Sequence, residues 1–334
     1  MKNLKIFSLI SLFILMISAS VSAIELPDSF GGYKIPKPTA EIVNFDIDSI
    51  SLTDITLLFD VEITNPYPVK LKLSRVESAF FVEQKQFFKM ATDKLKIKAN
   101  GKETTRLLVN LKYADIAGVV KDYSNKDYLE CVVDMLIVLP LPKQVSSLAK
   151  DVTFKFNLKK MIPAIKPEIN IANFNVIKPS KADIEAAIKK AQKKNMNADA
   201  ITDMFGAMID GKNPAKVIDT SDLDLKLKVN FDVVMKNKTK AAIFFKDLNY
   251  DFKVNSSKLV DGYTKDIQNK PGEYILTINN DFSSKALGSA ILKAFKDGKG
   301  DYTLTGFSMV KFPDAVKKIP LKLNFNEKGV LLIK

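Results

Sequence analysis

The sequence has no histidine and no tryptophan, one cysteine, and only two arginines among 334 residues. Without an imidazole there is no Ser-His-Asp triad, no histidine metal site and no general base that titrates near neutrality. A lone thiol, Cys131, allows neither an intramolecular disulfide nor an all-cysteine zinc site. With Arg75 and Arg106 the only guanidinium groups, lysine carries nearly all of the positive charge, which nets +13 from 51 basic and 38 acidic side chains. Base-edge and bidentate phosphate recognition favour the planar arginine fork, so nucleic acid is not an expected partner. A weak attraction to anionic lipid or acidic polymer is the milder expectation. Glycine loops that cradle phosphate are missing as well: Gly298-Lys299-Gly300 follows a helical pattern instead of preceding one. The segment Asp219 to Asp224 lacks the glycine and distal glutamate of a calcium loop. No enzyme, cofactor or metal is therefore expected.

What is present is a folding composition, 46% apolar and 27% charged, in a chain long enough for two domains. Lys2 and Lys5 precede an apolar stretch from Ile6 to Ile17, and small residues run to Val21-Ser22-Ala23. That order is a secretory leader, residues 1–23, with cleavage expected after Ala23 and the mature chain in the periplasm or outside the cell. An uncleaved anchor is the alternative, although the apolar stretch falls short of the ~20 residues that span a bilayer.

Two ungapped segments, Ile55 to Val82 and Leu227 to Val254, match at an offset of 172. Phe59-Asp60-Val61 pairs with Phe231-Asp232-Val233, Asn65 with Asn237, and Phe80 with Phe252. Ile55, Leu57, Phe59, Val61 and Ile63 alternate, as do Leu227, Val229, Phe231, Val233 and Met235. A period of two puts each set on one sheet face and turns Asp60, Glu62, Lys228 and Asp232 toward water. Val76 to Val82 and Leu248 to Val254 alternate likewise. Between them lie the corners Asn65-Pro66-Tyr67-Pro68 and Asn237-Lys238-Thr239-Lys240. Proline donates no ladder hydrogen bond, so Pro66 and Pro68 interrupt the sheet, and Asn65 can cap the corner with its amide.

One helix is expected in each copy, with Ile116, Val119, Val120 and Tyr123 matching Leu287, Ala290, Ile291 and Ala294. The turns at Leu141-Pro142 and Phe312-Pro313 lead to closing strands at Val152 to Leu158 and Leu321 to Phe325. Cys131 alternates with Leu129 and Val133 as a buried small hydrophobe. The opening strands, Asn44 to Ile47 and Asn173 to Val176, match at an offset of 129, so the second copy carries an insertion after its first strand. The insertion, residues 181–218, reads as two amphipathic helices introduced by a Ser180/Asp183 capping box. Its lysines, Lys189, Lys190, Lys193 and Lys194, are a candidate face for an anionic membrane surface, or a solvated face.

The alternating strand, the Asn65-Pro66-Tyr67-Pro68 corner, the next alternating strand and Ala99-Asn100-Gly101-Lys102-Glu103-Thr104-Thr105 before Leu107 to Leu111 together resemble a known family. This is the water stress and hypersensitive response (WHy) domain of late embryogenesis abundant group 2 proteins. The second copy keeps Asn237 without the prolines, and Phe81 to Met90 contains no glycine. The resemblance implies tandem immunoglobulin-like or fibronectin-like β-sandwiches, each with one core-facing helix, over residues 37–160 and 166–334. It also implies a non-enzymatic role in desiccation and other stress, with Asn65, Pro66, Pro68, Gly101 and Asn237 as motif residues of structural purpose. Envelope proteins or an anionic membrane surface are the expected partners, and the high net charge favours a monomer.

Overall fold

A computed structural model describes residues 21–25, 28–30, 33–34, 36–93, 95–140, 149–177, 179–210, 212–220, 222–265, 271–283, 294 and 297–332. Most of the expected leader, the turn at Leu141 to Leu148 and the helical stripe at Leu287 to Ile291 lie outside them. The chain divides into two compact units, Met1–Asp48 with Ile55–Ala164, and Ser49–Asp54 with Ile165–Lys334. Both are mainly β and built from antiparallel sheets with few helices, a β-sandwich architecture; among the described residues no sheet closes into a barrel.

The first unit begins with three short strands, β1 (Val21–Glu25), β2 (Ser29–Phe30) and β3 (Tyr33–Lys34). Then come β4 (Thr39–Ile50), β5 (Asp54–Thr64), the two-residue β6 (Leu71–Lys72), β7 (Arg75–Val82) and β8 (Lys85–Asp93). After β9 (Lys96–Ile97) and β10 (Lys102–Lys112), helix α1 (Tyr113–Val119) leads into β11 (Tyr128–Pro140) and β12 (Ala149–Pro163). One sheet has the order β1-β12-β11-β7-β8, a second β10-β5-β4, and β2 with β3 and β6 with β9 form two-stranded sheets. In β5 the expected alternation holds: Ile55, Leu57, Phe59, Val61 and Ile63 are all buried. They meet the inner face of the other sheet, since Phe59 touches Phe80 of β7 across the core, with ring centroids 5.7 Å apart. Each such fully buried side chain contributes about 1.5–3 kcal/mol of transfer free energy.

Helix α1 is shorter than its stripe. It stops at Val119, which is 46% exposed, whereas Val120 and Tyr123 reach the core from the turn that follows. A helix of seven residues has room for only Tyr113 and Ile116 on its buried side.

The second unit comprises β13 (Pro167–Ile177), α2 (Lys181–Lys190), α3 (Ala198–Ile209), β14 (Lys226–Asn237), β15 (Phe244–Val254), β16 (Ser257–Thr264), β17 (Glu273–Ser283), β18 (Lys299–Lys311) and β19 (Leu321–Leu332). Its sheets have the orders β13-β14-β17 and β16-β15-β18-β19. Leu227, Val229, Phe231, Val233 and Met235 are buried in β14 as their counterparts are in β5. Phe231 stacks on Phe252 of β15 at 4.7 Å across the core.

In the insertion Ile184 of α2 and Ile201, Met204 and Phe205 of α3 are buried. Ser180 accepts from the Asp183 N–H while Asp183 accepts from Ser180, so the capping box is complete, and Asn197 caps α3 through the N–H groups of Asp199 and Ala200. The helices end at Ile209, and residues 212–220 continue without regular structure.

Both hairpins after the second long strand turn without glycine. Glu83 and Gln84, at φ 47° and 66°, link β7 to β8, and Asn255 and Ser256, at 46° and 67°, link β15 to β16. Two consecutive positive φ values give the tight turn whose twist matches a hairpin, a conformation that ordinarily selects glycine or asparagine.

Candidate functional site

The motif residues converge on the corner after β5. There the β5 ladder ends because Pro66 has no N–H to give, and Asn65 takes over as the local hydrogen-bond hub. Its side chain, 1% exposed, donates from Nδ2 to the carbonyls of Val69 and Lys98, both at 2.8 Å, and accepts at Oδ1 from the Tyr67 N–H at 2.9 Å. The Asn65 N–H itself donates to the Gly101 carbonyl at 2.8 Å. Gly101 stands in a tight space: a Cβ there would sit 3.0 Å from both the Cβ and the carbonyl oxygen of Lys98. Tyr67 is buried, its hydroxyl donating to the Pro36 carbonyl at 2.8 Å, and burial pushes its pKa up to about 12. Pro66 is half-buried and Pro68 exposed.

The second corner repeats this plan around a different partner. Asn237 donates from Nδ2 to the Ala241 carbonyl at 2.8 Å, and its N–H donates to the Gly272 carbonyl at 2.7 Å. Its Oδ1, however, accepts from the N–H of Lys166 at 2.8 Å, a residue 71 positions away, instead of from the corner itself. Gly272 is thus the counterpart of Gly101, and its φ of +79° needs glycine. Thr239, buried, stands where the first corner has Tyr67.

A polar row that the pattern of alternation misses crosses the outer face of each three-stranded sheet. Asp60 was expected to face water, yet it is only 8% exposed, because Arg106 covers it from β10. The guanidinium donates from Nε to Oδ1 at 2.8 Å and from Nη2 to Oδ2 at 3.2 Å, and Asn44 of β4 donates to Oδ2 at 3.0 Å. Arg106, followed by Asn44, holds the Asp60 carboxyl below the usual carboxylate range. In the second unit Asn173 and Thr277 donate to Asp232 at 2.6 and 2.7 Å. Asn44 and Asn173 share the offset of 129, and Arg106 and Thr277 an offset of 171, so the signal lay in the repeat.

The four candidate lysines do not share one helix face. Lys189 and Lys190 are exposed in the last turn of α2, but the chain then turns, with Gln192 at φ 54°. Lys193 is engaged by Asp222 at 2.5 Å, which raises its pKa, and Lys194 is exposed. Lys189, Lys193 and Lys194, but not Lys190, line an open cleft of about 820 Å³ on the helical hairpin, and Lys181 and Asp199, paired at 2.6 Å, line it too. A second open cleft, about 640 Å³, lies on the outer face of the five-stranded sheet over Ala79, Ala91 and Leu136. Cys131 is buried in β11, and burial, with Glu83 and Glu130 nearby, pushes its thiol well above the ordinary range. Among the described residues no group of three or more His, Cys, Asp or Glu side chains is placed to hold a metal ion.

No protein-family model matches the chain. No curated protein matches it either. Among solved structures it is similar over part of its length to a solution structure of a protein from Arabidopsis thaliana, at 17% identity, a TM-score of 0.32, and coverage of 42% of this chain and 92% of that one. A solution structure titled as a late embryogenesis abundant protein is 15% identical at a TM-score of 0.31, covering 39% of this chain and 72% of that one. A protein from Archaeoglobus fulgidus is 9% identical at a TM-score of 0.29, covering 37% of this chain and 97% of that one.

Proposed function

We propose that this is an exported, non-enzymatic stress-protection protein that shields envelope proteins or membranes during desiccation or osmotic stress. The observation that carries this reading is the duplicated asparagine corner. It is the motif on which the resemblance to the late embryogenesis abundant family rests. In both copies its polar atoms are spent on the backbone of their own sandwich. Polar side chains consumed in this way support a scaffold and leave little for turnover of a substrate. The lysine-dominated surface adds to it, because net charge far from zero resists self-association while permitting weak contacts. Survival of drying and osmotic shock should fall when the gene is deleted, and purified protein should slow aggregation of a client. No difference in either measurement overturns the reading.

A second reading rests on the exposure of Lys189, Lys190 and Lys194 on the helical hairpin. It makes the chain an envelope binding module for anionic lipid, polysaccharide or a protein. Deleting residues 181–218 should then abolish sedimentation with anionic vesicles while both sandwiches remain folded; retained sedimentation excludes it.

A further inference from the structure

Strand β1 crosses the expected processing site. It runs parallel to β12, with Val21 opposite Ala149, Ala23 opposite Asp151, Ile24 opposite Val152 and Glu25 opposite Thr153. Cleavage after Ala23 would leave only Ile24 and Glu25 of this strand, at a new chain end. Terminal residues fray unless tied down. Beyond these two ladder positions, the described contacts add one exposed ion pair, Lys155–Glu25 at 2.5 Å, a kind of contact that contributes little. β12 itself stays in place, because β11 pairs with it from Asp151 to Pro163 on its other side. The backbone of Ala149 to Thr153 then presents an open row of N–H and C=O groups, which is a template for another strand.

We propose that removal of the leader opens this edge of β12 as an acceptor for an extended segment of a partly unfolded client protein, aligned parallel to β12 and carrying an acidic residue near its end. The proposal rests on the export and shielding role above and names the surface through which clients are held. Strand addition draws its affinity from main-chain hydrogen bonds, which any extended sequence offers, so it suits many weak clients better than one dedicated partner. The charge preference follows from the present occupant: Glu25 meets Lys155, and Lys159 and Lys160 farther along β12 are also exposed. The same lysines disfavour a second copy, since two β12 edges side by side would set like charges against each other.

The test compares two forms of the protein, one beginning at Ser20, which retains β1, and one beginning at Ile24. Amide exchange at residues 149–153 should be at least about tenfold faster in the form that begins at Ile24. A labelled peptide of residues 20–28 should restore protection there and bind that form at least about tenfold more tightly than the form that begins at Ser20. A denatured client should displace the peptide, and a peptide with Glu25→Lys should bind more weakly. Equal exchange in the two forms, failure of the peptide to restore protection, or protection that instead rises with dimerisation of the Ile24 form would overturn the proposal. N-terminal sequencing of the exported protein separates the two levels. Retention of residues 21–23 refutes the processing on which the proposal rests, whereas cleavage after Ala23 without peptide binding refutes strand acceptance alone.

Discussion

In the first sandwich an aromatic row runs from Phe45 through Phe59 and Phe80 to Phe88, which stacks on Phe80 at 5.3 Å from the hairpin strand β8. In the second the row runs through Phe174, Phe231 and Phe252 and ends on Tyr302 of β18, 6.0 Å from Phe252. The register explains the exchange. Phe88 pairs with Phe80 as Val260 does with Phe252, and Cys131 pairs with Val82 as Tyr302 does with Val254. Thus Phe88 with Cys131 in one copy occupies the place of Val260 with Tyr302 in the other. The ring has moved from one flank of the central strand to the other, and small residues have moved the opposite way. Gly329 makes room for it, because a Cβ there would lie 2.6 Å from the Tyr302 ring. A core conserves filled volume more strictly than it conserves which strand supplies it.

The corners offer the strongest way to test how far the copies are equivalent. Asn65→Ala strands two part-buried carbonyls and one buried N–H and should cost about 2–4 kcal/mol of first-unit stability; Asn237→Ala strands one of each and should cost about 1–3 kcal/mol. Denaturant unfolding followed by probes in each unit checks the order, and equal losses would show that the distant Lys166 bond matters as much as the local ones. Of similar size, Tyr302→Cys should destabilise the second unit by about 2–4 kcal/mol through the cavity it leaves. Adding Val260→Phe should recover part of that loss if the exchange of volume is real, which a double-mutant cycle measures directly.

The polar row of the first unit gives that unit an acid dependence. Asp60 has a folded pKa below its unfolded value, so its contribution is present above the unfolded pKa and is lost as pH falls through the lowered one. Acid titration of stability should therefore weaken the first unit in that range, and Asp60→Asn or Arg106→Ala should remove this component, with only a small loss near neutrality. The smallest effect belongs to the hairpins: Gln84→Gly and Ser256→Gly should each stabilise by about 0.5 kcal/mol, relief of the left-handed backbone being offset in part by glycine's entropy. A fall in melting temperature for either would show that these side chains hold the turn in another way.

Strand positions were legible because burial on one sheet face imposes a period of two, and Phe59 or Phe231 could stand nowhere else in that pattern. The corner was legible through Asn65 and Pro66, whose chemistry is local. Gly272 was not, since its role is to offer a carbonyl to a residue 35 positions earlier, which no local signal encodes. Asp60 was misplaced for a related reason: alternation reports which face a residue occupies, not whether Arg106 from a neighbouring strand lies over it. Val119 failed because periodicity cannot say where a short helix stops.

The burial of Cys131 has a consequence for where such a chain can operate. Its only thiol is enclosed by β11 and its neighbours and held in the protonated, poorly nucleophilic form, so it offers little to an oxidant, a thiol exchanger or another copy of itself. With no disulfide to make or lose, both sandwiches rest on packing, hydrogen bonds and ion pairs. The fold is thereby independent of thiol–disulfide exchange in its surroundings, and no disulfide has to form or survive for either sandwich to hold.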